Sequence, residues 1–341
     1  MNDTYSVWLN RLLTGGSLAE AEASDLMRAL AAGDIEPPLA GALLAALRMK
    51  GETAEEIRGF ATAMRELAVK PVLPDGAPTV DSVGTGGDGS GSFNLSTGTG
   101  LLSAACGARV VKHGNRSISS RSGSADMLQC LGLPIPLDER GVSDALSALN
   151  FTFLFAPAFH PAMKAIMPVR NALGVRTVFN LLGPLTNPAA PPFQLIGAFS
   201  PYAAKLMADA LSGMPIERAF VVHGEPGWDE ATPAGEFLLY DVTPGSVTEQ
   251  HRTPEDYGLA RCKPEDLAGG DADYNARELA RVFCGEDKGA HRDALLMGTS
   301  LVLEVMGTVA NAKDGVAMAA EAIDTGKANE FLDRFRKHFS T

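Results

Sequence analysis

Residues 79–97 read TVDSVGTGGDGSGSFNLST, and this stretch decides the fold. Thr79 to Val83 predict a short strand, the glycines from Gly84 onward make a loop, and Ser96-Thr97 stand where a helix should open. Such a loop suits an anion. Glycine lets backbone N–H groups approach an oxygen, and a helix N-terminus adds free N–H groups and a dipole. Gly84, Gly86 and Gly89 satisfy G-x-G-x-x-G literally, which tempts a dinucleotide-binding reading. Two features oppose it. A further polar run, Asn94 to Thr97, precedes the helix, and Lys112-His113 stand at the end of the next strand where a ribose-binding acid is required. No Gly-Lys-Ser/Thr follows, which excludes a Walker loop. Asp88 would be repelled by a phosphate, so it is expected to hold a ribose hydroxyl, a loop N–H or a metal-bound water.

Working outward, strands are predicted at 79–83, 108–112, 151–155, 194–199, 218–223, 236–242 and 246–251. Helices are predicted at 96–106, 123–132, 139–149, 161–182, 201–212, 274–284, 291–306, 313–324 and 327–338. Alternating strand and helix predicts an α/β domain around a central, mainly parallel sheet. Upstream, residues 5–70 read as all helix. Ser17-Leu18-Ala19-Glu20 has the form of a capping box, and PLAGALLAALR (38–48) and TAEEIRGFATAMREL (53–67) carry helical apolar spacing. PVLPDGAP (71–78) is a linker. The expected division is a small helical domain over 1–73 and an α/β domain over 77–341, with helices near 168–188 packing onto the former.

The 341 residues bury a core without staples, and 45% hydrophobic with 21% charged residues is ordinary for a globular chain. A net charge of −12 argues against a nucleic-acid partner; the local basic cluster is Lys112, His113, Arg116 and Arg121. Cys106, Cys130, Cys262 and Cys284 form no CxxC pair, which fits reduced thiols in the cytoplasm. Residues 1–4 show no basic start of a signal peptide, and no apolar run reaches a membrane-spanning length.

A second polar cluster, KHGNRSISSRSGSAD, fills 112–126. Its cations and hydroxyls, with a helix start near Gly123-Ser124, form another anion-binding loop. Two such loops at adjacent strand ends suit a ligand with phosphates at two places. Together with HPAMKAIMPVRNALGVRTVFNLLGPLTNPA (160–189) and HGEPGWDE (223–230), these runs resemble the anthranilate phosphoribosyltransferases of tryptophan biosynthesis. The resemblance runs from the N-terminal helices almost to the C-terminus.

That resemblance implies a set of roles. Gly84, Gly87, Asp88, Ser92, Asn94, Leu95, Ser96 and Thr97 would line the phosphoribosyl pyrophosphate site, completed by Lys112, His113, Gly114, Asn115, Arg116, Ser117, Ser119, Ser120 and Ser124. Ser96, Asp229 and Glu230 would hold two Mg²⁺ ions per chain. Gly84, Asn115, Arg170, His113 and His160 would face anthranilate, with neither histidine acting as a general base. No residue is assigned proton transfer; Lys112, Asp229 and Glu230 would stabilise the transition state. A homodimer through the helical domain is implied.

The chain departs from the family pattern at Ser96-Thr97-Gly98-Thr99-Gly100, Phe159, Trp228 and Leu296-Met297-Gly298-Thr299-Ser300. These departures leave open a related enzyme taking a substituted anthranilate or other aryl amine. A pyrimidine nucleoside phosphorylase would need no Arg170. A non-catalytic nucleic-acid binder would lack the Asp229-Glu230 pair.

Overall fold

The computed structural model of the chain describes residues 3–117 and 121–340. It opens with a bundle of the helices Asp3–Leu13, Glu20–Ala32, Pro37–Lys50 and Ala54–Leu67. The last begins in a reciprocal cap, with the Glu56 N–H donating to Thr53 Oγ1 at 3.2 Å and the Thr53 N–H to Glu56 Oε2 at 2.8 Å. Glu56 is buried and also accepts from the Leu18 N–H at 2.9 Å and Lys50 Nζ at 2.8 Å. The box expected at Ser17 is not formed. The helix starts at Glu20, where Glu22 accepts from the Ala19 N–H at 2.9 Å while paired with Arg11, and Ser17 Oγ instead accepts from Lys50 Nζ at 3.2 Å. Gly59 sits mid-helix because a Cβ there would stand 2.3 Å from the Glu20 carbonyl oxygen. Its bare backbone lets two helices pack closely.

The strands are β1 (Thr79–Gly84), β2 (Arg109–Gly114), β3 (Phe151–Phe155), β4 (Phe193–Gly197), β5 (Arg218–Gly224), β6 (Phe237–Thr243) and β7 (Ser246–Arg252). The described residues form one seven-stranded sheet, ordered β3-β2-β1-β4-β5-β6-β7. The strands from β3 to β5 are parallel, and β6 and β7 run antiparallel. Phe151–Phe155 reads FTFLF and is covered on both faces, whereas β7 reads SVTEQHR and is a largely exposed polar edge. The chain runs from β1 outward to β3, then returns to the other side of β1 with β4. The loops after β1 and β4 therefore diverge, and open α/β sheets place ligands at such a crevice.

One core covers one sheet face with Val110, Phe153, Leu101, Leu295 and Phe335 among its members. The other joins Ile196 and Val221 of the sheet to Leu43, Leu47 and Phe60 of the bundle, and to Ile166, Val169, Phe179 and Leu182. The single helix expected over 161–182 is two, Met163–Leu173 and Phe179–Leu182, because Gly174 takes a left-handed conformation (φ 61°) and stops the first.

Two of the stretches singled out in the sequence, 96–100 and 296–300, pack against each other. The helices Leu95–Ala105 and Ala290–Val305 meet where a Cβ on Gly98 would stand 2.7 Å from Leu295 Cδ2 and a Cβ on Gly298 2.3 Å from Thr99 Oγ1. Each glycine makes room for the larger residue opposite. Met297, Trp228 and Phe159 belong to the buried core.

Candidate active site

The strands β1, β4 and β5 each end in glycine, at Gly84, Gly197 and Gly224. A Cβ at these positions would stand 2.4 Å from Asp229 Oδ2, 1.6 Å from the Asp229 carbonyl oxygen and 2.2 Å from the Glu230 carbonyl oxygen. The Asp229-Glu230 segment therefore lies directly across three strand ends, and only glycine leaves it space. Asp229 Oδ2 accepts from the Gly86 N–H at 2.6 Å, and the Asp229 N–H faces Asp88 Oδ2 at 3.4 Å. Glu230 Oε1 accepts from the Ser96 N–H, in the first turn of its helix, at 3.2 Å. Lys112 reaches in from β2, fully buried, and donates to the Ser82 carbonyl and, at 3.3 Å, to Ser96 Oγ. Glycine loop, helix start, carboxylates and lysine thus meet at the switch point.

Burial pushes the Asp229 carboxyl up to about 7, helped by the nearby Asp88 charge. It also drives Glu230 well above the usual carboxylate range, with Asp229 adding repulsion. Lys112 is pushed down by the same burial and held up by Asp81 and Glu230. Asp88, Asp229 and Glu230 crowd together with Lys112 near Glu230, and a divalent cation among them would favour their charged forms. The donor set is all oxygen, which fits Mg²⁺.

The remaining residues expected to line the donor site are placed as follows. Asp88 Oδ1 accepts from the Ser90 N–H at 3.1 Å, so of its three expected partners the loop N–H is present. Ser92 Oγ lies 3.0 Å from Ser90 Oγ. Gly87 is left-handed (φ 71°), Leu95 and Thr97 are buried, and Gly114 ends β2 where a Cβ would meet Ser124 Oγ at 2.3 Å. Asn94 uses its amide to join loops, donating to the Ser122 carbonyl at 3.2 Å and accepting from Ser122 Oγ at 2.8 Å and Asn275 Nδ2 at 2.7 Å. In the second loop the Asn115 carbonyl accepts from Ser124 Oγ at 3.2 Å. The Ser117 N–H and Arg116 both bind Asp126, at 3.0 and 2.9 Å. Ser119 and Ser120 lie outside the described residues.

Of the residues expected to face the acceptor, His113 and His160 pack with their rings 5.1 Å apart. Burial lowers His113 to about 3 and His160 to about 4, so both are neutral near pH 7. Each leaves a buried Nε2 without a partner among the described residues. Arg170 is half-buried, its guanidinium 4.9 Å from the Phe179 ring centre and 3.9 Å from Met167 Sδ.

Several residues escape the sequence reading. Asn187, inside GPLTNP, donates at 2.8 Å to both Asp81 Oδ2 and the Val111 carbonyl, bracketing β1 to β2 beneath Lys112. Burial raises Asp81 to about 6. Its only sequence signal is an acid inside an otherwise short apolar strand. Gly197 and Gly224 share a legible signal, a glycine at a predicted strand end. Arg176, which donates to the Gly87 carbonyl, has none beyond its place in the quoted motif.

The helical bundle domain of the glycosyl transferase family matches residues 7–68, and that family's a/b domain matches residues 76–329. These matches define the class, a glycosyltransferase with a helical bundle domain and an a/b domain. An anthranilate phosphoribosyltransferase of Rubrobacter xylanophilus is 43% identical over 327 residues, covering 96% of this chain and 95% of that protein. The crystal structure of the Thermus thermophilus enzyme of that name is 43% identical, with a TM-score of 0.91 over 98% of this chain and 99% of that one. The Saccharomyces cerevisiae enzyme, solved in complex with PRPP and Mg, is 27% identical, with a TM-score of 0.86 over 100% of this chain and 99% of that one. The chain belongs to the anthranilate phosphoribosyltransferase family.

Proposed function

We propose that the chain transfers the phosphoribosyl group of phosphoribosyl pyrophosphate to the amine of anthranilate, releasing pyrophosphate, in tryptophan biosynthesis. The observation that carries this reading is the convergence of Asp229, Glu230, Lys112 and the Gly84–Asp88 loop at the strand ends of the switch point. The relatives named for this activity support it.

Asp229 and Glu230 would hold Mg²⁺, two ions per chain, with Ser96 beside one of them. Bound magnesium supplies charge neutralisation for the pyrophosphate leaving group. Lys112 adds a fixed ammonium at the same place, and the loop N–H groups offer neutral donors. Arg170 presents a planar fork to the anthranilate carboxylate, a geometry that lysine lacks. The aryl amine is neutral at pH 7, so positioning supplies much of the rate and no strong base is required. His113 and His160, held uncharged by burial, line the acceptor end as neutral walls. The helical domain closes over the sheet and excludes water, which would otherwise hydrolyse the donor.

Exposed Val7, Leu13 and Met49 on the bundle support a homodimer through that domain. No helix among the described residues is long and apolar enough to cross a membrane, which is consistent with the proposed cytoplasmic location. Donor calorimetry tests the reading. Phosphoribosyl pyrophosphate should bind with Mg²⁺, and binding should collapse with EDTA or in Glu230→Gln. Equal binding under all three conditions would contradict the metal and donor assignments.

A further inference from the structure

We infer that Arg176 is a positioning residue that sets the shape of the donor loop and couples it to the acceptor side. The inference rests on the donor and acceptor assignments above and adds a link between them.

Hydrogen bonds hold the donor loop where its glycines make no steric contacts. Gly86, Gly87, Gly89 and Gly91 all have positive φ, at 68°, 71°, 74° and 59°. A Cβ at Gly86, Gly89 or Gly91 would meet nothing within 4 Å, so these glycines answer backbone conformation and not crowding. At its near end the loop is fixed by the Gly86 N–H on Asp229. At its apex the Gly87 carbonyl accepts from Arg176 Nη2.

Arg176 is itself held. Its guanidinium lies over the Phe199 ring at 4.2 Å from the centroid, and the Phe199 N–H donates to Thr85 Oγ1 at 3.1 Å. The Thr85 N–H donates in turn to the Gly197 carbonyl at 3.0 Å. Arg176 thereby joins the loop apex to Phe199, which Thr85 ties to the loop base and the end of β4.

Two consequences follow from this link. In a trans peptide the C=O and the following N–H point in opposite directions. Holding the Gly87 carbonyl on Arg176 therefore turns the Asp88 N–H to the other side, where it can serve a phosphate. Arg176 also follows the helix Met163–Leu173 that carries Arg170, just past its Gly174 stop. Seating a carboxylate on Arg170 fixes the segment from which Arg176 reaches the loop, so occupancy at one end favours the donor-ready loop at the other.

Arg176 is exposed and Arg176→Ala should fold with an unchanged Tm. Titration calorimetry with phosphoribosyl pyrophosphate and Mg²⁺ should show donor affinity about tenfold weaker in Arg176→Ala, as loss of a charge-assisted hydrogen bond implies. Arg176→Lys and Phe199→Leu should lie between. Initial rates over a matrix of both substrates provide the second readout. In the unaltered protein the donor KM should fall as anthranilate rises, and in Arg176→Ala it should stay flat with kcat little changed. Unchanged donor affinity in Arg176→Ala, or a drop in kcat alone, overturns the positioning role. A donor KM that ignores anthranilate in the unaltered protein overturns the coupling. If the unaltered protein binds no donor, the functional reading itself fails and the inference falls with it.

Discussion

In the proposed function, Arg170 is the residue on which acceptor choice turns. Its guanidinium stacks on Phe179, and burial depresses its pKa from a very high value. A hydrogen bond to a charged group contributes about 1.5–3 kcal/mol, so Arg170→Ala should lower kcat/KM for anthranilate by about one to two orders of magnitude. Arg170→Lys should restore only part, and the donor KM should hold in both; steady-state kinetics checks this. The buried histidines make a second, thermodynamic expectation. Their folded-state pKa values lie below the ordinary value of 6.5. The unfolded chain therefore takes up protons that the folded chain refuses, and this contribution to stability is full above about pH 6.5 and lost as the pH falls toward about 4. Asp81, Asp229 and Glu230 act with the opposite sign, since their raised pKa values favour the folded state at low pH. The difference in Tm between the unaltered protein and His160→Gln isolates the histidine. Relative to that variant, the unaltered protein should lose stability as the pH falls from about 6.5 to about 4; a pH-independent difference would contradict a neutral buried His160. Type and motif together singled out Lys112, Asp229 and Arg170 in the sequence, and the structure brings Lys112 and Asp229 to neighbouring strand ends. Asp81 and Arg176 were not singled out, because their meaning lies in partners far along the chain.

The elements were largely legible because their signals are local. Apolar periodicity, Pro71–Pro78 and strand-end glycines all act within a few residues. The errors came where a distant group won. Glu22, braced by Arg11, took the helix start that Ser17 seemed to own, and Gly174 divided what read as one helix. Packing across elements yields two expectations. Gly197→Ala would put a Cβ 1.6 Å from the Asp229 carbonyl oxygen, displacing the Asp229-Glu230 segment. Turnover should fall by about 100-fold, the scale of a misplacement near 1 Å. The helices Leu95–Ala105 and Ala290–Val305 offer a cycle: Gly298→Ala alone should destabilise by about 1–3 kcal/mol through overpacking against Thr99. Adding Thr99→Ala should recover part of that loss in urea unfolding, and strict additivity would show that the two sites do not touch.

At the scale of the whole molecule, the sheet order places the glycine loop, Lys112 and the Asp229-Glu230 pair at one crevice. The alternation of strand and helix announced the α/β domain, and the acidic charge of −12 pointed away from nucleic acid. What no local pattern carried was the crossing of Asp229-Glu230 over three strand ends, which needs the finished sheet. Nor did it reveal that the departures at 96–100 and 296–300 fit each other in the core.

The most direct measurement is turnover itself. The protein is incubated with anthranilate, phosphoribosyl pyrophosphate and Mg²⁺, with anthranilate loss followed by fluorescence and pyrophosphate release assayed in parallel. The expected result is one pyrophosphate released per anthranilate consumed, abolished by EDTA, restored by excess Mg²⁺, and strongly reduced in Glu230→Gln. Pyrophosphate release without anthranilate loss, or full turnover in metal-free Glu230→Gln, would contradict the assignment.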